Sequence, residues 1–294
     1  MPLAQTITLD DGRSLGYDDV GDPDGLPVLF VHGTPDSRRA RHPDDAMAAE
    51  LGVRLVAVDR PGFGLSSAHT AGTVGSFADD AMALADHLGV DSWRPFAWSA
   101  GSVYALAVAA RHPERVVRVV VAAGLVPFEA YAVAGILDDA DGGRWMVAEL
   151  GEELGPAGLA EAAVEMIAPY PCDEDLAREH LMETADTARR SDLESIPGAL
   201  DVLVAGLVDS VENGRAGLTR DLELQVEVPD VDWSEVTAPV HLVYGSRDST
   251  TPPAFGEWWA ERLRWAELEV VDDAGHLVAL THWAHLLTLA ATPV

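Results

Sequence analysis

The chain of 294 residues has a single cysteine, Cys172, which excludes an intrachain disulfide and fits a reducing compartment. No apolar run reaches the roughly 18 residues that a membrane-spanning helix needs. Residues 1–10 lack the basic and apolar segments of a secretory signal, and no cysteines and histidines have the spacing of a zinc site. We therefore expect a cytoplasmic protein whose activity requires no metal or organic cofactor.

Basic residues are also few, because 19 lysines and arginines are set against 49 aspartates and glutamates, for a formal net charge of −30. A surface this negative repels nucleic acids and anionic membranes, so we expect neither as a partner. Hydrophobic residues (48%) and charged residues (23%) occur in the proportions of a soluble globular enzyme. The composition leaves the substrate and the oligomeric state open.

Strand-like and helix-like segments alternate up to about residue 126 and again from residue 233, which predicts an α/β fold. We expect a mostly parallel sheet with helices on both faces. Pro95 fits this prediction only as the first residue of its strand, since proline cannot donate to a central ladder. Helical spacing dominates between the two parts. The sequence therefore predicts a core of residues 1–126 and 233–294 with a helical cap inserted at 127–232.

A serine at a sharp turn between a strand and a helix is exposed above a sheet and needs small residues two positions to either side. The literal pattern Gly-x-Ser-x-Gly occurs at residues 12–16, but Ser14 opens a strand and no helix follows it. Ala-Trp-Ser-Ala-Gly at residues 97–101 has a strand before it and a helix after it. Ser99 is therefore the predicted nucleophile.

Serine needs an adjacent base, and ten histidines could supply it. His276 follows a predicted strand by a short acidic loop, at the edge where such a sheet assembles its site. His180 and four other histidines lie in or beside predicted helices, and we expect them on the surface. Asp248 is the only acid after the predicted strand at residues 240–244, so it is the predicted partner of the histidine. The order Ser, Asp, His agrees with this type of site.

Four motifs together resemble the α/β-hydrolase superfamily with a helical cap. They are His-Gly-Thr-Pro at residues 32–35, Asp-Arg-Pro-Gly-Phe-Gly-Leu-Ser at 59–66, the turn at Ser99, and the paired segments of Asp248 and His276. They occur in order over nearly the whole chain. The resemblance implies an oxyanion hole made by the backbone N–H groups of Thr34 and Ala100, and a structural role for His32.

The resulting hypothesis is hydrolysis of a small, hydrophobic carboxylic ester or lactone through an acyl-enzyme. An apolar pocket would then be lined by aromatic and sulfur-containing side chains beside the nucleophile and in the cap: Trp98, Trp145, Met146, Met166 and Tyr170.

Several alternatives stay open. A peptidase similar to proline iminopeptidases has the same outline, although their His-Gly-Gly-Pro-Gly run is His-Gly-Thr-Pro-Asp at residues 32–36 here. A carbon–carbon bond hydrolase shares the same three residues, so these cannot separate it from an esterase. A lyase or cyclase, or a small-molecule-binding protein that no longer turns over, would also keep the fold.

Overall fold

A computed structural model describes residues 3–167, 173–185, 187–212 and 214–293, and these include one eight-stranded sheet. The strand order is β1-β2-β4-β3-β5-β6-β7-β8. Strand β2 runs antiparallel to both of its neighbours, and all other neighbouring pairs are parallel. The strands are β1 (Gln5–Thr8), β2 (Ser14–Gly21), β3 (Leu26–Val31), β4 (Val53–Val58), β5 (Arg94–Trp98), β6 (Val119–Ala122), β7 (Val240–Gly245) and β8 (Ala266–Val271).

Helices cover both faces of the sheet, as the alternating pattern predicts. One hydrophobic cluster packs α2, α3 and α9 on one face, and a second packs α1, α10 and α11 on the other. The central strands are apolar on both sides for this reason, and Val28 to Val31 are fully buried. These helices are α1 (Ala46–Glu50), α2 (Ser76–Leu88), α3 (Gly101–Arg111), α9 (Pro253–Ala260), α10 (Val278–Thr281) and α11 (Trp283–Ala291).

Pro95 is the second residue of β5, not the first as expected, because the strand begins at Arg94. It pairs with Leu29 of β3 in a parallel ladder. The sheet accommodates the proline near the strand's start, before the chain reaches the turn at Ser99.

The long connection between β6 and β7 is helical wherever it is regular. Its described residues begin with a short 3-10 helix at Phe128–Ala132 and then form five α-helices. That residues 127–232 form a separate cap domain stays a prediction. The helices are α4 (Gly142–Ile167), α5 (Glu174–Thr184), α6 (Thr187–Ser195), α7 (Ala199–Glu212) and α8 (Ala216–Val226).

The described ranges contain neither a membrane-spanning helix nor a metal-binding cluster. None of their helices is both long and apolar enough to cross a bilayer. Nor do the same ranges contain three or more histidine, cysteine, aspartate or glutamate residues grouped so as to hold a metal ion.

Candidate active site

Ser99 occupies a tight turn between β5 and α3. Its φ angle is +54°, in the left-handed region that a non-glycine residue rarely adopts. Its backbone N–H donates to Ala122 O of β6 at 3.0 Å, which fixes the turn above the sheet. A Cβ atom at Gly101 would lie 2.3 Å from Val31 O, so the small residue that the motif requires is needed for close packing. Backbone strain of this kind is a feature of functional sites.

Asp248 follows β7 and holds His276, which follows β8. The Asp248 carboxylate is 3% exposed, and its Oδ2 lies 2.9 Å from His276 Nδ1. Its Oδ1 accepts the N–H groups of Thr250 at 2.9 Å and Thr251 at 3.0 Å. Burial alone would raise the pKa of Asp248, but the imidazole and these hydrogen bonds hold it below its ordinary value. The carboxylate is therefore ionised at neutral pH and orients the imidazole.

Ser99 and His276 line the same cavity. His276 Nδ1 faces Asp248, and the main chain of His276 is fixed by Trp98, whose Nε1 donates to His276 O at 3.0 Å. Among the hydrogen bonds of the described residues, none joins Ser99 Oγ to the imidazole, and none uses His276 Nε2. An imidazole held in this tautomer can accept a proton at Nε2.

The loop after β3 lies against Ser99. A Cβ atom at Gly33 would come within 3.1 Å of Ser99 Cβ. In the described ranges, the backbone N–H groups of Thr34 and Ala100 donate to no backbone carbonyl; that they form an oxyanion hole stays a prediction. His32 is fully buried, and burial together with the nearby Arg60 lowers its pKa well below the ordinary value, so its ring is neutral.

A buried ion pair ties this loop to helix α8. Arg60 Nη2 donates to Gly33 O at 2.8 Å and to Thr34 Oγ1 at 2.7 Å. The same guanidinium pairs with Asp221 of α8, which also accepts the hydroxyl groups of Thr34 and, at 2.6 Å, of Tyr104. The side chains of Arg60 and Asp221 are 1% and 2% exposed. The position of Thr34 therefore depends on an acid from the helical insert.

The cavity has a volume of about 330 Å³, at the small end of the range for ligand sites. Both the sheet edge and the insert contribute to its wall. The described residues that line it are Gly33, Thr34, Pro35, Asp36, Trp98, Ser99, Arg144, His180, Leu181, Thr184, Arg189, Leu203, Leu207, Thr250 and His276.

The predicted pocket residues have different outcomes. Trp98 lines the cavity, whereas Trp145 and Met146 do not and are 46% and 38% exposed, so the structure corrects these two. Successive helical residues point about 100° apart, and α4 turns Arg144 toward the cavity instead of its two neighbours. Tyr170 and the side chain of Met166 lie outside the described residues.

Titratable side chains that the sequence analysis did not select also line the cavity. They include Arg144, Arg189, Asp36 and His180; His180, expected on the surface, is half-buried and lines the cavity. Helix α5 covers the cavity, and this could not be seen from helical spacing. Burial raises the pKa of Asp36 to about 8, although Arg189 and Arg60 oppose the shift. Asp36 is therefore mostly protonated at neutral pH.

Comparison with known proteins agrees with the fold. Residues 27–282 match the family model described as alpha/beta hydrolase fold. A proline iminopeptidase from Xylella fastidiosa is 35% identical over 123 residues, which are 39% of this chain. The match spans only 37% of that relative's length. The peptidase activity therefore describes that relative and is not carried over to this chain.

Two esterases match over more of the chain. A pimeloyl-[acyl-carrier protein] methyl ester esterase from Aromatoleum aromaticum is 33% identical over 63% of this chain and 67% of its own length. The structure of a thermophilic esterase from Thermogutta terrifontis superposes with a TM-score of 0.61 at 25% identity, covering 99% of this chain and 100% of that one. With an eight-stranded sheet of this order and a family match over most of its length, the chain belongs to the α/β-hydrolase fold family.

Proposed function

We propose that the protein is a serine hydrolase that cleaves a small carboxylic ester or lactone. One observation carries the proposal: a serine in a left-handed turn shares a cavity with a histidine whose Nδ1 is bound to a buried, ionised aspartate. Serine, base and orienting acid in this relation form the arrangement that activates a hydroxyl group.

In the first half of the reaction, Ser99 Oγ attacks the substrate carbonyl carbon and its proton passes to His276 Nε2. The carbonyl oxygen becomes negatively charged and is held by the N–H groups of Thr34 and Ala100, each worth roughly 3 kcal/mol in the transition state. His276 then gives the proton to the leaving alcohol, and an acyl-enzyme remains. Hydrogen bonds to a base are often absent before substrate binds and form in the complex.

In the second half, a water molecule attacks the acyl carbon while His276 Nε2 again accepts a proton. The imidazolium returns that proton to Ser99 Oγ as the acid product leaves. Asp248 stabilises the imidazolium in both halves and remains ionised. Every proton is moved by side chains of the protein, so the proposed reaction needs no cofactor.

The esterase relatives favour an ester as the substrate over a peptide with a free amino terminus. A peptidase of that kind must bind an ammonium group, for which an ionised acid in the cavity is suited. Asp36 is the one carboxyl group among the described lining residues, and with a pKa of about 8 it is mostly neutral at pH 7. The two arginines in the wall repel a cation further.

Labelling with a fluorophosphonate probe tests the proposal, because only an activated serine reacts. We expect one equivalent of label on the wild type, mapped by mass spectrometry to Ser99. The Ser102→Ala variant is a matched control, since Ser102 is buried in the first turn of α3 and its hydroxyl donates to Leu125 O at 2.9 Å. It should be labelled like the wild type. A folded wild type that resists the probe would support a binding protein without turnover.

The Asp221→Asn variant should lower kcat about 10- to 100-fold with little change in KM, because a loosened Thr34 loop costs part of one oxyanion donor. The reduced charge leaves Arg60 incompletely paired, so a lower melting temperature is also expected. Tyr104→Phe removes only the hydroxyl bond to Asp221 and should give a smaller fall in kcat.

Asp19→Asn is the matched control for Asp221→Asn, since Asp19 is also buried and paired, with Arg54 at 2.8 Å, but lies in β2. Steady-state kinetics on p-nitrophenyl acetate and thermal unfolding should show that the control loses stability and keeps kcat. Equal kcat in the two variants would rule out a positioning role for Asp221.

A further inference from the structure

Arginine side chains line the cavity of a chain that is strongly acidic overall. The chain carries 49 aspartates and glutamates against 19 arginines, and it has no lysine. The described lining residues nevertheless include two arginines, Arg144 and Arg189, and a single acid, Asp36. Because burial raises the pKa of Asp36 to about 8, this acid cancels little of the positive charge at pH 7. Arg144 therefore places a positive charge in the cavity wall of a strongly negative molecule.

Arg144 is held in a fixed relation to the proposed catalytic residues. Its Nε donates to Thr250 O at 2.9 Å, and the N–H of Thr250 donates to Asp248 Oδ1 at 2.9 Å. The same loop thus holds the carboxylate that orients His276 and the guanidinium that lines the cavity. A guanidinium fixed through Nε presents its two terminal nitrogens as a fork, which matches the geometry of a carboxylate.

The terminal nitrogens of Arg144 are not used by an acid of the described chain. Asp141 is the nearest acid in sequence, and its carboxylate accepts the backbone N–H of Arg144 at 3.0 Å and the hydroxyl of Thr250 at 3.3 Å. The ion pairs of the described residues include arginines such as Arg13 and Arg54 but not Arg144. In so acidic a chain, an arginine without an acidic partner in the described ranges is suited to an acidic ligand.

From this arrangement we infer that the substrate carries an ionised carboxylate in addition to its ester or lactone group. The inference rests on the proposed function and specifies the substrate class of the same site. Arg144 binds the carboxylate, and the ester carbonyl lies at Ser99. A volume of about 330 Å³ suits a short molecule, such as the monoester of a short dicarboxylic acid.

The test compares monomethyl and dimethyl esters of succinate, glutarate and adipate. In each pair, the monomethyl ester keeps one ionised carboxylate, and the dimethyl ester is neutral. Methanol release by the wild type gives kcat/KM for each pair. We expect the charged ester to be preferred at least 10-fold for one or more lengths. Arg144→Gln should lower kcat/KM for that charged ester about 10- to 100-fold more than for the matching dimethyl ester, the value of hydrogen bonds to a charged group.

Arg178→Gln is the control variant, because Arg178 lies on α5, pairs with Asp201 at 2.7 Å and is outside the cavity lining. It should retain the preference. For all variants, glutarate and glutaramide are also tested as inhibitors of fluorophosphonate labelling. Glutarate should protect the wild type and not Arg144→Gln, while glutaramide protects neither.

The outcomes separate the two proposals. Dimethyl esters hydrolysed as fast as monomethyl esters, with no protection by glutarate, would overturn the carboxylate inference and leave the hydrolase standing. The same holds if Arg144→Gln slows both esters equally. A wild type that is not labelled at Ser99 would overturn the proposed function itself.

Discussion

Replacing Ser99 by alanine should lower kcat for p-nitrophenyl acetate by at least about 10⁴-fold, since without the hydroxyl group no acyl-enzyme can form. The fold should be retained, because alanine removes one oxygen atom from a side chain that is 7% exposed. Release of nitrophenol measures kcat, and far-ultraviolet circular dichroism checks that the fold is retained. Residual turnover would come from the oxyanion donors and substrate binding alone.

Ser102→Ala again supplies the comparison, and its kcat should stay within about 3-fold of the wild type, since surrounding packing is preserved. Turnover by Ser99→Ala at a tenth or more of the wild-type rate would contradict the role of Ser99. The reaction would then be assigned to another group in the cavity.

Asp248→Asn should lower kcat by about 10⁴-fold, as is found when the orienting acid of such a group becomes an amide. An asparagine can donate to Nδ1, which favours the tautomer with the proton on Nε2 and removes the base from the serine. The negative charge that stabilises the imidazolium is also lost. The low pKa of Asp248 means that the wild type keeps this charge throughout the neutral range.

The pH dependence of kcat/KM distinguishes this role from a structural one. Asp248→Asn should recover part of its activity at high pH, where hydroxide replaces the missing base, whereas a variant that is only less stable should not. Asp19→Asn serves as the control, with an unchanged pH profile. A kcat for Asp248→Asn within 10-fold of the wild type would exclude Asp248 as the orienting acid.

The sheet and the residues at its edge could be predicted from the sequence because local rules determine them. Strands buried on both faces appear as apolar runs, and the carboxyl ends of parallel strands meet at one edge. Ser99 was found by context, since a strand precedes it and a helix follows it, while the literal pattern at residues 12–16 belongs to β2. The roles of Ser99, Asp248 and His276 stay predictions that the variants above test.

The wall of the cavity could not be predicted, because it depends on how the insert packs. Aromatic and sulfur-containing residues were preferred over charged ones, yet Arg144 lines the cavity and its neighbours Trp145 and Met146 do not. Neighbours in a helix point in different directions, and the sequence does not give the rotation of a helix about its axis.

In helix α8, Leu218, Leu222 and Val226 have helical spacing. That spacing reveals the apolar face and gives no reason to select Asp221 among so many acids. Its importance depends on contacts with Arg60 and Thr34, which are more than 150 positions away in the chain.

The link between Asp221 and Thr34 has a consequence for protein engineering. The insert is the obvious segment to exchange when a new specificity is wanted, and a chimera made in this way would keep the serine, the histidine and the aspartate of the sheet. It would nevertheless receive a different neighbour for Arg60. Grafts that lack a carboxylate at the position of Asp221 in α8 should yield well-folded chimeras with a low turnover rate. Restoring that one acid should recover the turnover rate.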